Sequence, residues 1–331
     1  MEIRKPGAMP HTPQGPSSQG PHTPLISVAI TAFNHQELLP RAIESVLRQQ
    51  TDFPIEIIIG DDCSSDGTVA VAKGYEVKFP DVVHVVQRER NIGIQRNYYD
   101  VFERCRGKYI AWLDADDCWT DPRKLAIQAD LLESDSTVMA CGHFTRWVNL
   151  AGEVKREKYP SWPAGRYGVK DVLAKNFLMS QSVVFRNGIH RKLPPWYFDA
   201  APLTDWPVWL VAALEGDIVL LDRVMADYTL TPGSAMMSKG PLYWYETDIR
   251  FYEFVDSMLP SHLRRIARKE KGKRYETIAS HFTTHKDFAG ASRAALQAFR
   301  TPNIFDNFSS KTKGLAATCA YQLAERFRRR K

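Results

Sequence analysis

The sequence predicts an α/β protein: a mostly parallel sheet with helices on both faces, followed by a helical C-terminal region. Three observations predict it. Short β-rich apolar runs alternate with segments of helical periodicity from residue 25 to about residue 137. The runs are continuously apolar, as strands covered on both faces are. Polar, acid-rich clusters follow three of these runs directly, and in open parallel sheets ligands bind beyond the carboxyl ends of the strands.

Taken in order, residues 1–24 hold six of the twenty prolines, with Gly, Ser, Gln and His, and show no repeating apolar position. That is the composition of a disordered leader. Order begins at Leu25. The run 26–31 predicts a buried strand, and 39–50 places Leu39, Ala42, Ile43, Val46 and Leu47 at helical spacing. A strand is expected over 55–59, ending in Gly60-Asp61-Asp62, then a helix over 68–78, a strand over 82–86 and a helix over 95–104. The strand 109–113 runs into Asp114-Ala115-Asp116-Asp117. A helix over 123–133 follows, with Asp121 and Pro122 as its start signal. Beyond Thr137 strands are expected at 138–148 and 182–186, separated by a stretch rich in Trp, Tyr and Pro (159–167). Then come an apolar helix over 208–214 and short strands at 218–221 and 224–228. From Tyr243 the chain reads helical and basic, with a helical hairpin (275–282 and 288–299) turning at Lys286-Asp287. The expected organisation is a leader at 1–24, an α/β domain at 25–238 and a basic helical region at 239–331.

Composition narrows the function classes. A hydrophobic fraction of 44% supports a packed core. The longest apolar runs, such as 208–214, are far short of the ~20 residues a membrane helix needs. The five cysteines, at 63, 105, 118, 141 and 319, form no Cys-x-x-Cys pair. A disulfide framework and a structural zinc site are therefore not expected, and a reducing cytoplasm is the expected location. The net charge of +6 is unevenly spread: residues 241–331 carry 18 Lys and Arg against 9 Asp and Glu, and residues 1–240 carry 26 against 29. The basic character belongs to the C-terminal quarter, so no nucleic-acid partner is expected for the α/β domain.

Three strand ends carry the candidate chemistry: Thr31-Ala-Phe-Asn34, the run 61–67 that starts with Asp61-Asp62, and Asp114-Ala-Asp-Asp117. In a parallel sheet all three converge on one edge. Asp66-Gly67-Thr68 reads as a turn and helix cap. The adjacent carboxylates Asp61 and Asp62 repel, and a turn needs only one. Carboxylates at i and i+2, as at Asp114 and Asp116, can face one hard cation. Mg²⁺ or Mn²⁺ takes one or two protein carboxylates and keeps waters or substrate phosphates as its other ligands.

The segments 27–34, 42–49, 58–68, Asn91-Ile92-Gly93 and 113–117, in this order and spacing, resemble the family-2 inverting glycosyltransferases of the GT-A fold. The match is strong over about 25–145 and weaker to about 238. The resemblance implies a metal-dependent enzyme that moves a sugar from a nucleotide-diphosphate sugar, most often a UDP-sugar, to a hydroxyl of a saccharide or lipid-linked acceptor in cell-surface polysaccharide or glycolipid assembly. It places Thr31, Phe33 and Asn34 in the loop that holds the nucleotide, Asp62 on the base, and Arg96 and Asn97 along the nucleotide-sugar pocket. It places Asp114 on ribose or sugar and Asp116 on the metal, Mg²⁺ or Mn²⁺. An inverting transferase also needs a general base for the acceptor hydroxyl. The resemblance puts it at Asp205, with Trp206 beside an acceptor sugar and Thr231 and Ser234 in a lid over the diphosphate. Two positions depart from the pattern: Thr204 and Thr231 stand where the family often has Glu and His. They keep open an alternative, a nucleotide-sugar-binding module of the same fold that has lost its chemistry.

Residues 264–274 hold seven basic residues and one acid, and five of the last six residues are basic. A solvated helical face explains such a run. Adsorption to an anionic membrane, at ~1 kcal/mol per Lys or Arg near the lipid, is the functional alternative. It would place the protein at the inner face of the cell membrane.

Overall fold

The computed structural model describes residues 23–200, 202–231 and 238–300. Nearly all of the expected leader, the last 31 residues of the expected basic region and Ser234 lie outside the described residues.

Strand β1 (Ile26–Ala32) is buried along its whole length and pairs in parallel with β2 (Ile55–Asp61) on one side and β4 (Tyr109–Asp114) on the other. Strand β3 (Val83–Gln87) extends the parallel set beyond β2. The period of two divides each strand between two cores. Ile26, Val28 and Ile30 of β1, with Ile57 and Ile59 of β2 and Ala111 and Leu113 of β4, face one of them. Ala29, Ile58, Ile110 and Trp112 face the other. Helices α1 (Leu39–Leu47), α2 (Thr68–Lys78) and α4 (Lys124–Ser134) cover the first face, and α3 (Ile94–Arg104) covers the second with Tyr98, Val101 and Phe102. A parallel sheet layered by helices on both faces is thus present as expected.

The sheet becomes mixed past β4. Strand β9 (Val184–Arg186) lies antiparallel between β4 and β6 (Val138–Asn149). Strand β10 (Asp217–Leu230) then runs parallel to β6. It is one strand where two short ones were expected. Register shifts between Leu221 and Val224 and between Val224 and Ala226 produce the break seen in its pattern. The sequence pattern also missed several short pieces. These are β5 (Cys118–Trp119), antiparallel to β10; β7 (Val154–Tyr159), paired to β6; β8 (Gly165–Tyr167), paired to β10; and the six-residue helix α5 (Val169–Ala174). Helix α6 (Trp206–Glu215) is apolar all round and almost wholly buried.

The C-terminal region continues this core. Helices α7 (Pro241–Val255) and α8 (Ser261–Thr284) contribute Phe251, Tyr252, Val255, Leu263 and Ala267 to the cluster built on α3 and α6. Helix α9 (Phe288–Arg300) folds back on α8 after Lys286, which takes a positive φ of 61°. The basic run 264–274 is largely tied to acids within the region. Arg268 pairs with Asp256 at 2.9 Å, Lys271 with Glu253 at 2.9 Å, Lys273 with Glu270 at 2.7 Å and Arg274 with Asp248 at 2.6 Å. Among the described residues no helix is long and apolar enough to cross a membrane.

Candidate active site

Register brings the three polar strand ends together. Thr31 of β1 lies beside Gly60 of β2 and Asp114 of β4, and Ala32 lies beside Asp61. Gly60 lets α3 approach closely: a Cβ there would sit 2.4 Å from Val101 and 2.7 Å from the Asn97 amide oxygen. Beyond these strand ends opens a cavity of about 570 Å³ lined by Thr31, Phe33, Asp62, Asn97, Asp114 and Asp116. A second cavity of about 500 Å³ adjoins it, with Asp114, Ser180, Thr204 and Tyr228 on both. Asp205 lines this second cavity.

The two adjacent aspartates divide their contacts. Asp61 caps its own loop, accepting from the Ser64 backbone N–H at 2.9 Å and its hydroxyl at 2.5 Å. Asp62 reaches across the cleft, accepting from the N–H groups of Ile92 at 2.7 Å and Gly93 at 3.0 Å. Phe33 is 45% exposed at the mouth. Asn97 is buried and donates to the Gly60 carbonyl at 2.8 Å.

Two expected nucleotide contacts point elsewhere. The Asn34 side chain accepts from the Ser65 N–H at 2.8 Å and so ties the first loop to the second. Arg96 sits two residues from Ile94 and one from Asn97, which turns it off the cleft face of α3, and its guanidinium lies 4.9 Å over the Phe198 ring.

Asp114, Asp116 and Asp117 are packed into the turn that follows β4. Ser180 donates to Asp114 at 2.7 Å. The Asp114 carboxyl is pushed up to about 7 by burial, by the charge of Asp116 and by Asp205. Burial raises Asp116 as well. His35, Arg41 and the Thr231 hydroxyl pull it back. Asp117 accepts from the Thr229 N–H at 2.7 Å; its other oxygen is buried without a partner among the described residues, and burial with the charges of Asp116 and Asp114 drives it well above the carboxylate range. Arg41 donates to the Asp116 carbonyl at 3.4 Å and to Thr229 at 2.5 Å, clamping the turn to β10.

This donor set fits a hard cation. The carboxylates are crowded and buried, and the charge of Asp116 raises both Asp114 and Asp117, so a cation among them would relieve that repulsion. Among the described residues no three His, Cys, Asp or Glu side chains gather as metal ligands. An ion here would therefore be held by one or two carboxylates, Asp116 and Asp114, together with oxygens from its ligand.

Asp205 caps α6, accepting from the Trp206 N–H at 2.7 Å, and Asn176 donates to the same carboxylate oxygen at 3.1 Å. Burial raises its pKa. Trp206 corrects the expectation made for it. Its ring is 2% exposed and stacks on Phe251 at 3.8 Å, and its indole N–H donates to the Val172 carbonyl at 2.8 Å. It is part of the core that fixes Asp205: Phe251 covers one face of its ring, and the residue reaches the wall of the second cavity. The sequence reading missed Ser180, Asn176, His35, Arg41 and Tyr228. Each is an ordinary polar residue far in sequence from the acid it faces, so no local spacing marks it.

Parallel strands delivering acids from β2 and β4 into one cleft, with a further acid at the start of an apolar helix, make this a GT-A-type α/β fold with its candidate active site at the switch from parallel to mixed sheet. Residues 27–189 match the family model "Glycosyl transferase family 2". The chain thus carries a glycosyltransferase family 2 domain. Among curated proteins it is 33% identical over 208 residues to an uncharacterized protein of Mycobacterium tuberculosis, covering 61% of this chain and 58% of that protein. It is 40% identical over 96 residues to the putative teichuronic acid biosynthesis glycosyltransferase TuaG of Bacillus subtilis, covering 29% of this chain and 37% of TuaG. The chain therefore spans little more than half the length of the mycobacterial relative. Among solved structures, TarS of S. aureus in complex with UDP-GlcNAc superposes with a TM-score of 0.54 at 16% identity, covering 83% of this chain and 91% of that one. The mannosyltransferase PcManGT of Pyrobaculum calidifontis, in complex with GDP-Man and Mn²⁺, superposes with a TM-score of 0.57 at 16% identity, covering 93% and 84%. At such identities the likeness is one of fold.

Proposed function

We propose that this protein is an inverting glycosyltransferase. It moves a sugar from a nucleotide-diphosphate sugar to a hydroxyl of a saccharide or lipid-linked acceptor in the assembly of a cell-surface polysaccharide or glycolipid. The observation that carries this reading is the gathering of Asp62, Asp114 and Asp116 on one cavity, with Asp205 on the cavity that adjoins it through Asp114. The resemblance to TuaG, named for teichuronic acid biosynthesis, supports the polymer class. The complexes of TarS and PcManGT support a nucleotide-sugar donor and leave the base open between uridine and guanosine.

In this reading the first cavity takes the donor. Phe33 offers an aromatic face at its mouth to the nucleoside, and Asp62 accepts from the base. Asp114 faces the ribose or sugar. Asp116, with Asp114, would hold Mg²⁺ or Mn²⁺, which when bound neutralises charge on the diphosphate leaving group. Thr231 lies at the diphosphate side of the same turn. Asp205 is the base. Asn176 and the Trp206 N–H both bind its Oδ1 and hold the carboxylate in place, and that carboxylate takes the acceptor proton. The acceptor oxygen forms its bond to the anomeric carbon as the bond from that carbon to the phosphate oxygen breaks on the opposite face, and the configuration inverts. Burial raises Asp205 toward the strength such a base needs.

A panel of UDP-, GDP- and dTDP-sugars, offered with Mn²⁺ and saccharide acceptors and followed by proton NMR of the new glycosidic bond, tests this. A product with the anomeric configuration opposite to the donor's is expected. Asp205→Asn should lower turnover by about 10²–10⁴-fold. A product with retained configuration, or near-normal turnover in Asp205→Asn, would refute the mechanism.

A further inference from the structure

We propose that Lys124 and Gln128 of α4 are positioning residues for Asp114, acting through the turn 180–182 that carries Ser180. This rests on the transferase reading above and adds to it the support of an acid on its donor side. Ser180 is the last link: its hydroxyl donates to Asp114 at 2.7 Å, and it lines both cavities. The two carbonyls that follow it in the chain are held from α4 and β5. Gln128 donates to the Ser182 carbonyl at 2.9 Å and to the Cys141 carbonyl of β6 at 2.6 Å. The Trp119 indole N–H donates to the Gln181 carbonyl at 2.9 Å. Lys124 secures both donors. Its ammonium donates to the Gln128 oxygen, one helical turn on, at 2.7 Å and lies 4.1 Å over the Trp119 ring.

The Gln128 amide has one workable orientation. Lys124 offers only donors and the two carbonyls only accept, so the amide oxygen must face the lysine and the nitrogen the carbonyls. Lys124, Gln128 and Gln181 are all buried, so each group depends on the others for its partners. Cys141 opposes Val184 in the ladder between β6 and β9, so Gln128 ties the turn to the neighbouring strand just where β9 begins. A stabilising role alone does not call for a lysine. Lys124 has no carboxylate partner among the described residues, and an ammonium taken out of water without one costs more than a hydrogen bond returns. Methionine would fill the space at less cost. What the lysine contributes is a donor that fixes the amide and a cation that fixes the indole, and both arms end on the backbone beside Ser180.

A double-mutant cycle on the full-length protein tests the inference. Mn²⁺-dependent affinity for UDP and GDP is measured by titration calorimetry at pH 7 on wild type, Lys124→Met, Ser180→Ala and the double variant, with urea unfolding in parallel. Lys124→Met should weaken nucleotide binding by about three- to tenfold, at or below the loss expected of a direct outer-shell partner, while its urea midpoint does not fall. In the Ser180→Ala background the same change should cost less than about twofold, because the link it acts through is gone. A residue that only stabilises the fold would lower stability and affinity together, and its effect would add to that of Ser180→Ala. Trp119→Phe, which keeps a ring and removes the indole N–H, takes the place of Lys124→Met in the cycle should that variant fail to fold. Full affinity in the single variant, or an equal loss in the Ser180→Ala background, would overturn the inference and leave the donor site standing. Absence of Mn²⁺-dependent nucleotide binding in wild type would overturn the transferase reading and this inference with it.

Discussion

Asp61 and Asp62 show how one dipeptide serves structure and site together. Asp61 turns inward and caps the loop, whereas Asp62 holds the 91–93 turn and faces the donor cavity. The same division recurs at Asp114, whose place depends on a hydroxyl contributed from 66 residues away. Ser180→Ala removes that bond and should weaken Mn²⁺-dependent nucleotide binding by about 10-fold, in the manner of an outer-shell partner. Calorimetry at fixed Mn²⁺ reads this directly. Titration of Asp114 gives a second handle. Burial and the neighbouring carboxylates place it at about 7, so a proton competes with a cation over the range in which an ordinary carboxylate stays ionised. Mn²⁺-dependent nucleotide affinity should fall as pH drops from 8 to 6, by up to about tenfold per unit below 7. Asp114→Asn should flatten that slope. Equal affinity at both pH values in wild type would show Asp114 to be no part of the metal site.

At the scale of elements, α4 carries an unusual burden. Its first residue, Lys124, is fully buried with no carboxylate partner among the described residues; the ammonium donates to Gln128 at 2.7 Å and lies 4.1 Å over the Trp119 ring. The exposed N–H groups of a helix start add to the positive potential there. Burial brings the Lys124 pKa down to about 7. Between about 7 and the ordinary 10.5 the unfolded chain holds a proton that the folded chain lacks, so stability rises with pH through that window and the penalty is full below 7. Lys124→Met should remove the slope and stabilise the protein at pH 7 by ~1–3 kcal/mol, part of the gain being offset by the unsatisfied Gln128 oxygen. Urea unfolding at pH 7 and pH 9.5 measures both. A variant less stable than wild type at pH 7 would show that Lys124 is held in place by interactions stronger than its desolvation. Helix α6 illustrates the converse case: its N-cap, Asp205, also lines the second cavity, so a capping residue and a candidate base are one side chain.

Across the whole molecule the C-terminal helices and the family-2 domain share one core. Phe251 of α7 is fully buried against Trp206, the residue that follows Asp205. Phe251→Ala should cost ~3–5 kcal/mol of stability and lower transfer more than nucleotide binding, since the support it removes lies under Asp205 and not under the donor cavity. Thermal unfolding and calorimetry separate these effects. The sequence disclosed the alternation of strands and helices, the continuous apolar runs of β1, β2 and β4, and the acids at their ends, because all of these are local patterns. It did not disclose β5, two residues long, or the bulged continuity of β10, because those depend on pairing partners about a hundred residues distant. Ser180, Asn176 and Tyr228 were hidden for the same reason. Trp206 misled because an aromatic beside an acid looks the same in sequence whether it meets a sugar or a phenylalanine. The most direct test of the shared cleft is titration calorimetry of UDP and GDP, with and without Mn²⁺, on wild type, Asp116→Ala and Asp205→Asn. A donor site built on Asp116 and a base at Asp205 require Mn²⁺-dependent binding in wild type, its loss in Asp116→Ala and its retention in Asp205→Asn. Unchanged binding in Asp116→Ala, or binding indifferent to Mn²⁺ in wild type, would contradict it.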